Sequence, residues 1–301
     1  MAQDVASPRV GFIGLGLMGS RMIRRLLGGG VDLTVHDVDA TAVQAAADAG
    51  AKVAASPKEL GAAGDVVIAM LPSPQILETV TLGEDGLIEG MAEGSLLVDM
   101  ATDGMSVVKR LSEPLAEKGI RIVDAPVGRG PAEAETGDLF VLMGGEPEDC
   151  DAVRGLLSLL GSDVHYCGPL GAGQAIKLVN NMVSSTTMAV VAEGYALARR
   201  AGADIELMTR LLPSSAADSW QLRNGLIGKA LAGDFSPRFK ISLARKDVAL
   251  AVEMAGELDS PSDMGRAALS WYERGMAAGH GDLDRAGIVL TEDPGLMKTK
   301  A

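Results

Sequence analysis

Short apolar runs alternate with helical stretches over the first 168 residues, and this alternation constrains the fold more than any other feature of the chain. Amphipathic stretches such as Met18–Leu27, Thr41–Asp48 and Ser106–Glu117 separate the runs. Strands separated by helices are typical of βαβ units, whose mostly parallel sheet is buried on both faces. The predicted strands are Val10–Ile13, Asp32–His36, Val66–Met70, Leu96–Asp99, Arg121–Asp124 and Leu139–Met143. We therefore expect residues 1–168 to form an α/β domain with a doubly wound sheet.

The pattern changes after residue 168. A single helical pattern without proline runs from Ala172 to Arg200, and the stretches that follow are helical, with proline and glycine at the joints. The later predicted helices are Ile205–Leu212, Trp220–Leu231, Ile241–Leu258 and Asp263–Ala278. We expect residues 169–301 to form a long connecting helix followed by an all-α domain.

Composition excludes several classes of protein. With 47% hydrophobic and 22% charged residues the chain can bury a full core. Its net charge of −13 argues against nucleic-acid and anionic-membrane partners, which require a basic face. Two cysteines are too few for a disulfide framework or a cysteine-built metal site, and the N-terminus lacks the pattern of a signal peptide. We expect a cytoplasmic protein with reduced thiols and no metal.

A glycine-rich turn follows the first predicted strand. The segment Gly14–Gly19 (GLGLMG) fits the pattern G-x-G-x-x-G between an apolar strand and an apolar helix. In such a turn Gly14 permits the tight bend, Gly16 lets the backbone approach a pyrophosphate, and Gly19 lets the helix pack on the strand. The N–H groups of the helix N-terminus favour phosphate. The turn predicts a Rossmann-type dinucleotide-binding domain; the alternative is a glycine-rich turn without a ligand.

Asp37 ends the second predicted strand, 18 positions after Gly19. A carboxylate there can accept hydrogen bonds from the adenosine ribose, and it repels the 2′-phosphate of NADP. The next residues, Val38 and Asp39, offer no arginine for that phosphate. We expect NAD as the cofactor, in preference to NADP; the alternative is that Asp37 only caps the following turn.

Polar residues interrupt the apolar pattern of the long helix. Lys177, Asn181 and Ser184 are spaced i, i+4 and i+7, so they project from one face. Asparagine is a poor helix former, and Asn180 and Asn181 need hydrogen-bond partners among apolar neighbours. A lone helical lysine is usually a solvated charge. A polar stripe on a helix that joins two domains instead indicates the lining of a cleft.

These motifs resemble those of the β-hydroxyacid dehydrogenases, the family that includes 3-hydroxyisobutyrate and tartronate semialdehyde dehydrogenases. The resemblance runs in the family's order, from residue 10 to about residue 285, through Val10–Gly19, Met70–Pro72, Asp99–Thr102, Asp124–Val127, Gly171–Asn181 and Lys246–Asp247. It implies an NAD-dependent oxidoreductase that moves a hydride between the nicotinamide and a small anionic alcohol or aldehyde. It also implies a homodimer or homotetramer formed through the helical domain.

The resemblance further implies roles for individual residues. Lys177 is the catalytic acid/base and Asn181 helps to orient the substrate. A lysine beside a nicotinamide cation in a closed cleft gives up its proton more readily, which suits proton transfer. The positions that hold the cofactor correspond here to Gly14, Gly16, Leu17, Met18, Gly19, Asp37, Leu71, Pro72, Thr102 and Lys246.

The predicted substrate site departs from the family's commonest pattern. Most members carry Ser-Gly-Gly where this chain has Gly128-Arg129-Gly130. Gly-Arg, together with Asn-Asn-x-x-Ser in the long helix, resembles the sulfolactaldehyde reductase branch, in which the arginine holds a sulfonate. Gly130-Pro131 and Met182 depart from that branch. The implied substrate residues are Gly128, Arg129, Gly130, Thr102, Asn180, Asn181 and Ser184.

Other functions remain open at this point. A guanidinium makes forked contacts with sulfonate, carboxylate or phosphate, so Arg129 predicts an anion without identifying it, and its alternative role is that of a solvated loop residue. Carboxylate substrates such as 3-hydroxyisobutyrate, 4-hydroxybutyrate or a semialdehyde compete with sulfolactaldehyde. Imine reductases share the architecture but usually lack the lysine, so Lys177 argues against them. A non-catalytic NAD-binding protein would have no reason to combine Lys177, Asn181 and Thr102 with the glycine turn.

Overall fold

The computed structural model describes residues 8–295. Two compact units divide the chain, the first ending at Lys177 and the second beginning at Leu178. The division therefore lies inside the long helix, whereas the predicted boundary after residue 168 lies before it. Among residues 8–295, no helical segment combines the length and the apolar character that a membrane span requires.

A nine-stranded sheet forms the centre of the first unit, in the order β3-β2-β1-β4-β5-β6-β8-β7, with β9 also paired to β8. Its strands are β1 Val10–Ile13, β2 Leu33–His36, β3 Lys52–Val53, β4 Val66–Ala69, β5 Leu96–Asp99, β6 Arg121–Asp124, β7 Val127–Gly128, β8 Leu139–Gly144 and β9 Gly161–Gly168. The pairing is parallel from β3 to β6, and β8 is antiparallel to both β6 and β7. The prediction of a doubly wound, mostly parallel sheet is confirmed.

Consecutive residues of the central strands enter two different cores. Val67 and Leu97 pack on one face of the sheet, whereas Ile68 and Val98 pack on the other. Because strand side chains alternate between faces, a strand with helices on both sides needs an uninterrupted apolar run. The runs in β4 and β5 supply this.

Helices flank the sheet between its strands, and the last of them leads out of the unit. They are α1 Gly19–Gly28, α2 Ala40–Asp48, α3 Pro57–Ala63, α4 Pro74–Leu82, α5 Leu87–Gly90, α6 Met105–Glu117, α7 Pro131–Thr136, α8 Pro147–Leu157 and α9 Ala172–Arg200. The local sequence explains where two of these helices begin. The hydroxyls of Ser56 and Ser73 accept hydrogen bonds from the backbone N–H three residues later, at 3.3 and 3.4 Å, and Pro57 and Pro74 begin the helices that they cap.

The described part of the second unit is helical, as predicted. After α9 come α10 Ile205–Leu211, a 3₁₀ turn Leu212–Ser214, a π-helix Gln221–Ala230, α11 Ile241–Glu257, α12 Asp263–Ala277, a 3₁₀ turn Arg285–Ile288 and α13 Val289–Glu292. Tyr272 is fully buried at the centre, and its hydroxyl donates to the carbonyl of Ser185 in α9 at 2.9 Å. That bond fixes α12 against α9.

Candidate active site

Five parallel strands of the first unit end in one row. Ile13 pairs with His36 on one side and with Ala69 on the other, Ala69 pairs with Asp99, and Asp99 pairs with Asp124. The segments that follow these strands therefore leave the sheet along one edge. In open α/β sheets this carboxyl edge is where ligands bind. The glycine turn, the loop after β4 and the loop after β5 all begin there.

The three glycines of the turn differ in what surrounds them. Gly14 has φ +98°, and a Cβ on it would lie 2.3 Å from the carbonyl oxygen of Met70. A Cβ on Gly19 would lie 1.9 Å from the carbonyl oxygen of Gly14. At Gly16, by contrast, no described atom other than those of Gly16 and its two chain neighbours lies within 4 Å of the Cβ position. Packing therefore requires Gly14 and Gly19, whereas the open side of Gly16 fits the close approach of a dinucleotide pyrophosphate.

Asp37 braces the same turn. Its Oδ2 accepts from the backbone N–H of Leu15 at 2.5 Å, and its Oδ1 accepts from that of Asp39 at 2.8 Å. A carboxylate oxygen has two lone pairs, so each can still accept a hydrogen bond from a ribose hydroxyl. Asp37 thus caps a turn, as its alternative interpretation expects, and remains suited to the predicted cofactor role.

The other predicted cofactor residues of the first unit lie beside these segments. Leu17 is exposed and Met18 is half-buried immediately before α1, whose first turn contains no acidic residue. Leu71 is half-buried and Pro72 is exposed after β4. Thr102 is half-buried after β5. The first unit therefore brings the glycine turn, Asp37 and these residues to one edge of the sheet.

Lys177 is buried, with 8% of its surface exposed, near the start of α9. Its Nζ lies 5.9 Å from the centre of the Phe140 ring, within the range of a cation–π contact. Phe140 pairs with Gly128 across β8 and β7, and a Cβ on Gly128 would lie 1.7 Å from the ring. The structure thus places Gly128, Phe140 and Lys177 in one cluster. This burial does not fit a solvated surface charge.

Asn181 follows Lys177 by one helical turn and is also buried, at 6% exposure. Its Nδ2 donates to Oδ2 of Asp247 at 2.6 Å, and its Oδ1 accepts from Asn180 at 3.0 Å. Lys246 forms an ion pair with Oδ1 of the same Asp247 at 3.2 Å. Asp247 therefore connects two predicted site residues of the second unit, although it was not itself predicted to act. The feature that could have identified Asp247 from the sequence is an aspartate on the face of α11 that is buried.

Ser184 lies a further turn along α9. Its hydroxyl accepts from Nε2 of Gln221 at 2.6 Å, and Asn180 is exposed. Each predicted polar residue of α9 in the second unit therefore forms a hydrogen bond with another side chain of that unit. These residues are Asn180, Asn181 and Ser184.

Arg129 is ion-paired twice. It adopts φ +73°, in the left-handed region that non-glycine residues seldom occupy. Its guanidinium contacts carboxylate oxygens of Asp138 and Asp163, each at 2.7 Å, and its side chain is 33% exposed. The neighbouring Gly130 N–H donates to Oε2 of Glu133 at 2.9 Å. Arg129 is therefore a partly exposed loop arginine with two carboxylate partners. For Arg129 to bind an anionic substrate, as predicted, the substrate must share the guanidinium with the two carboxylates or displace one of them.

Two sequence-family models match the chain. Residues 9–168 match the NAD-binding domain of 6-phosphogluconate dehydrogenase. Residues 171–291 match the NAD-binding domain described for NADP-dependent 3-hydroxyisobutyrate dehydrogenase. The first match covers the glycine turn and Asp37, and the second covers Lys177 and Asn181. The cofactor is accordingly NAD, and the preference for NAD over NADP remains a prediction.

Characterised relatives match over almost the whole chain. The 3-sulfolactaldehyde reductase of Escherichia coli is 35% identical over 280 residues, which cover 93% of this chain and 94% of the relative. The 2-(hydroxymethyl)glutarate dehydrogenase of Eubacterium barkeri is 33% identical over 283 residues, covering 94% of each. The structure of 3-hydroxyisobutyrate dehydrogenase from Mycobacterium tuberculosis with L-serine superposes with a TM-score of 0.87, at 28% identity, covering 94% of this chain and 98% of that one.

Proposed function

We propose that this chain, which belongs to the β-hydroxyacid dehydrogenase family, interconverts a small anionic primary alcohol and its aldehyde, with Lys177 as the general acid/base. It is an NAD-dependent oxidoreductase that acts on a CH–OH group. The proposal concerns the substrate and the residues that act on it. The observation that carries it is the burial of Lys177 beside Phe140 and Gly128.

The interconversion of alcohol and aldehyde requires a proton transfer at the substrate oxygen. The nicotinamide cofactor would supply the hydride chemistry when bound, with NAD as the acceptor in oxidation and NADH as the donor in reduction. In oxidation Lys177 takes the hydroxyl proton, and in reduction it gives a proton to the carbonyl oxygen. A buried lysine suits this role, because bulk water does not compete for the proton that it transfers.

Asn181 would orient the substrate. Its hydrogen bond to Asp247 uses one N–H of the amide and fixes the direction of the side chain. The second N–H can still donate to a substrate oxygen. Because Asn181 lies one turn after Lys177, both side chains project from the same face of α9.

For the substrate itself, our first choice is 3-sulfolactaldehyde. Gly128-Arg129 and Asn180–Ser184 support this choice, as does the identity to the Escherichia coli reductase. A role in the reduction of succinic semialdehyde to 4-hydroxybutyrate is compatible with the same site.

The second candidate is a carboxylate substrate of the 3-hydroxyisobutyrate or tartronate semialdehyde type. The ion pairs of Arg129 with Asp138 and Asp163 weaken the sulfonate choice, because the guanidinium that would hold the sulfonate already faces two carboxylates. The 33% identity to the Eubacterium barkeri 2-(hydroxymethyl)glutarate dehydrogenase supports a carboxylate. Both candidates carry an anionic group, and both undergo the same interconversion of a primary alcohol and its aldehyde.

A panel of substrates tests the proposal. Initial rates would be measured with NADH and 3-sulfolactaldehyde, succinic semialdehyde, tartronate semialdehyde and a neutral aldehyde of similar size, and with NAD and 3-hydroxyisobutyrate. We expect kcat/KM for at least one anionic compound to exceed that of the neutral aldehyde by about a hundredfold, the value of one or two charge-assisted bonds. Equal rates on the charged and neutral compounds would contradict the proposal.

Assembly and location complete the proposal. We expect a homodimer or homotetramer in the cytoplasm. Light scattering after size-exclusion chromatography would measure the oligomeric state. Both cysteines are free, and burial raises the pKa of Cys150 to about 11 and that of Cys167 above its ordinary value. Free thiols fit a reducing compartment, where disulfides are rare.

A further inference from the structure

Gln174 lies in the first turn of α9, three residues before Lys177, and is completely buried. Its side-chain amide makes four hydrogen bonds to the segment that follows β5. Oε1 accepts from the backbone N–H groups of Asp103 and Gly104 at 3.1 and 3.2 Å. Nε2 donates to Oδ2 of Asp99 at 2.8 Å and to the carbonyl of Ala101 at 2.9 Å.

These four bonds fill the whole hydrogen-bonding capacity of a primary amide. The oxygen has two lone pairs and the nitrogen has two hydrogens, and each has its own partner. The amide can therefore take only one orientation. Glutamate at position 174 would lose both donors, and methionine, of similar length, would make none of the four bonds. The chemistry of the site thus specifies glutamine.

A second contact holds the same helical turn from the neighbouring strand. Asp124, at the end of β6, accepts from the backbone N–H groups of Gly171 and Gln174 at 2.6 and 2.7 Å. The start of α9 is therefore fixed to the ends of two adjacent strands, by the side chain of Gln174 to β5 and by that of Asp124 to β6. Of these two side chains, it is Gln174 that reaches the loop after β5.

That loop contains Thr102, which was predicted to contact the cofactor and the substrate. Lys177 lies on the next part of the same helix. A change in the Gln174 contact would shift the loop relative to Lys177, and shifts of about 1 Å can slow a reaction by about a hundredfold. We propose that Gln174 is a positioning residue, which holds Lys177 in register with the loop Asp99–Gly104. The inference rests on the proposed role of Lys177 as the acid/base.

A double-mutant cycle tests whether Gln174 acts through Lys177. The variants are Gln174→Met, Lys177→Ala and their combination, with kcat measured from NADH absorbance and the Kd of NADH from its fluorescence. We expect Gln174→Met to lower kcat by about tenfold to a hundredfold while the Kd of NADH changes much less, because the glycine turn and Asp37, the other predicted cofactor contacts, do not touch Gln174. In the Lys177→Ala background the same substitution should change kcat by less than about twofold, because the residue that it positions is already gone.

Leu157→Ala is the matched control for lost stability. Leu157 is fully buried in α8 and belongs to the core, and it is not part of the Gln174 contacts. This variant should lower Tm but leave kcat within about twofold at 25 °C. If Gln174→Met does not fold, Gln174→Glu, which keeps the size and both acceptor bonds, enters the same cycle.

The outcomes separate the inference from the proposed function. An equal loss from the Gln174 substitution in both backgrounds, or full activity in the single variant, overturns the positioning role alone. Near-normal turnover of Lys177→Ala overturns the acid/base role and the inference with it. A large loss that disappears in the Lys177→Ala background supports both.

Discussion

Replacing Asp124 by asparagine should change how the stability of the protein depends on pH. Asp124 is buried at the end of β6, and burial raises the pKa of its carboxyl group to about 6 from an ordinary value of 3.8. Hydrogen bonds from Gly171 and Gln174 act in the opposite direction but do not outweigh the burial. The folded protein therefore holds this proton more tightly than the unfolded chain does.

The sign and size of the effect follow from that difference. The neutral carboxyl stabilises the folded state below about pH 4, and this contribution is lost as the pH rises through about 6. A pKa difference of about two units corresponds to about 3 kcal/mol, and most of the change falls between about pH 4 and about pH 7. The side-chain amide of the Asp124→Asn variant does not titrate, so the free energy of unfolding of that variant lacks this dependence.

Urea unfolding followed by circular dichroism measures the effect. We expect the free energy of unfolding of the natural protein, minus that of Asp124→Asn, to fall by about 2–3 kcal/mol between about pH 4 and about pH 7. Glu117→Gln, at an exposed carboxylate at the end of α6, is the control for the removal of one acid. A difference that stays flat or rises with pH would refute the reasoning.

Three further predictions concern the cofactor and the substrate. Gly16→Ala should weaken NADH binding by about tenfold or more without lowering Tm, because only a ligand approaches that position; an unchanged Kd would count against the glycine turn as the cofactor site. The control Gly155→Ala, in equally open space inside α8, should leave NADH binding unchanged and raise Tm slightly, because alanine favours a helix more than glycine does. The kcat/KM with NAD should exceed that with NADP, and Asp37→Ala should reduce the preference; equal use of NADP by the natural protein would show that Asp37 only braces the turn. Arg129→Ala should lower kcat/KM by about tenfold to a hundredfold for anionic substrates and less for neutral ones, and equal losses would assign Arg129 to its ion pairs with Asp138 and Asp163.

The sequence predicted the fold correctly where a local pattern of apolar residues specifies an element. The apolar runs of β4 and β5 predict buried strands because both faces of the sheet are covered. Strands β3 and β7 have two residues each, too few to show a period, and β9 mixes polar residues with Val164 and has no apolar run. The helix predicted over 220–231 is present as the π-helix Gln221–Ala230, and sequence periodicity does not distinguish the two.

For the candidate site, the sequence predicts residues but not their partners, and the roles of those residues stay predictions. Asp37 and Lys177 follow from motifs whose spacing is local. The contacts of Gln174 and Arg129, in contrast, join segments far apart in sequence, at Asp99 and at Asp163. A glutamine in an apolar helix signals only that partners must exist. Which partners these are depends on the register of the strands, and that register comes from tertiary structure.

The acid/base role of Lys177 is the claim on which the proposed function depends. In Lys177→Ala we expect turnover to fall by about 10² to 10⁴, the range for loss of a general acid/base, because the substrate oxygen loses its proton donor and acceptor. The Kd of NADH should stay within about twofold of that of the natural protein, because the glycine turn and Asp37, which are predicted to hold the cofactor, follow β1 and β2 and are not part of α9. Single-turnover rates of NADH oxidation, recorded with the most active aldehyde of the panel, measure the loss of turnover. A fluorescence titration measures the Kd of NADH. A large loss of rate with intact NADH binding is the predicted result, and near-normal turnover would contradict the account.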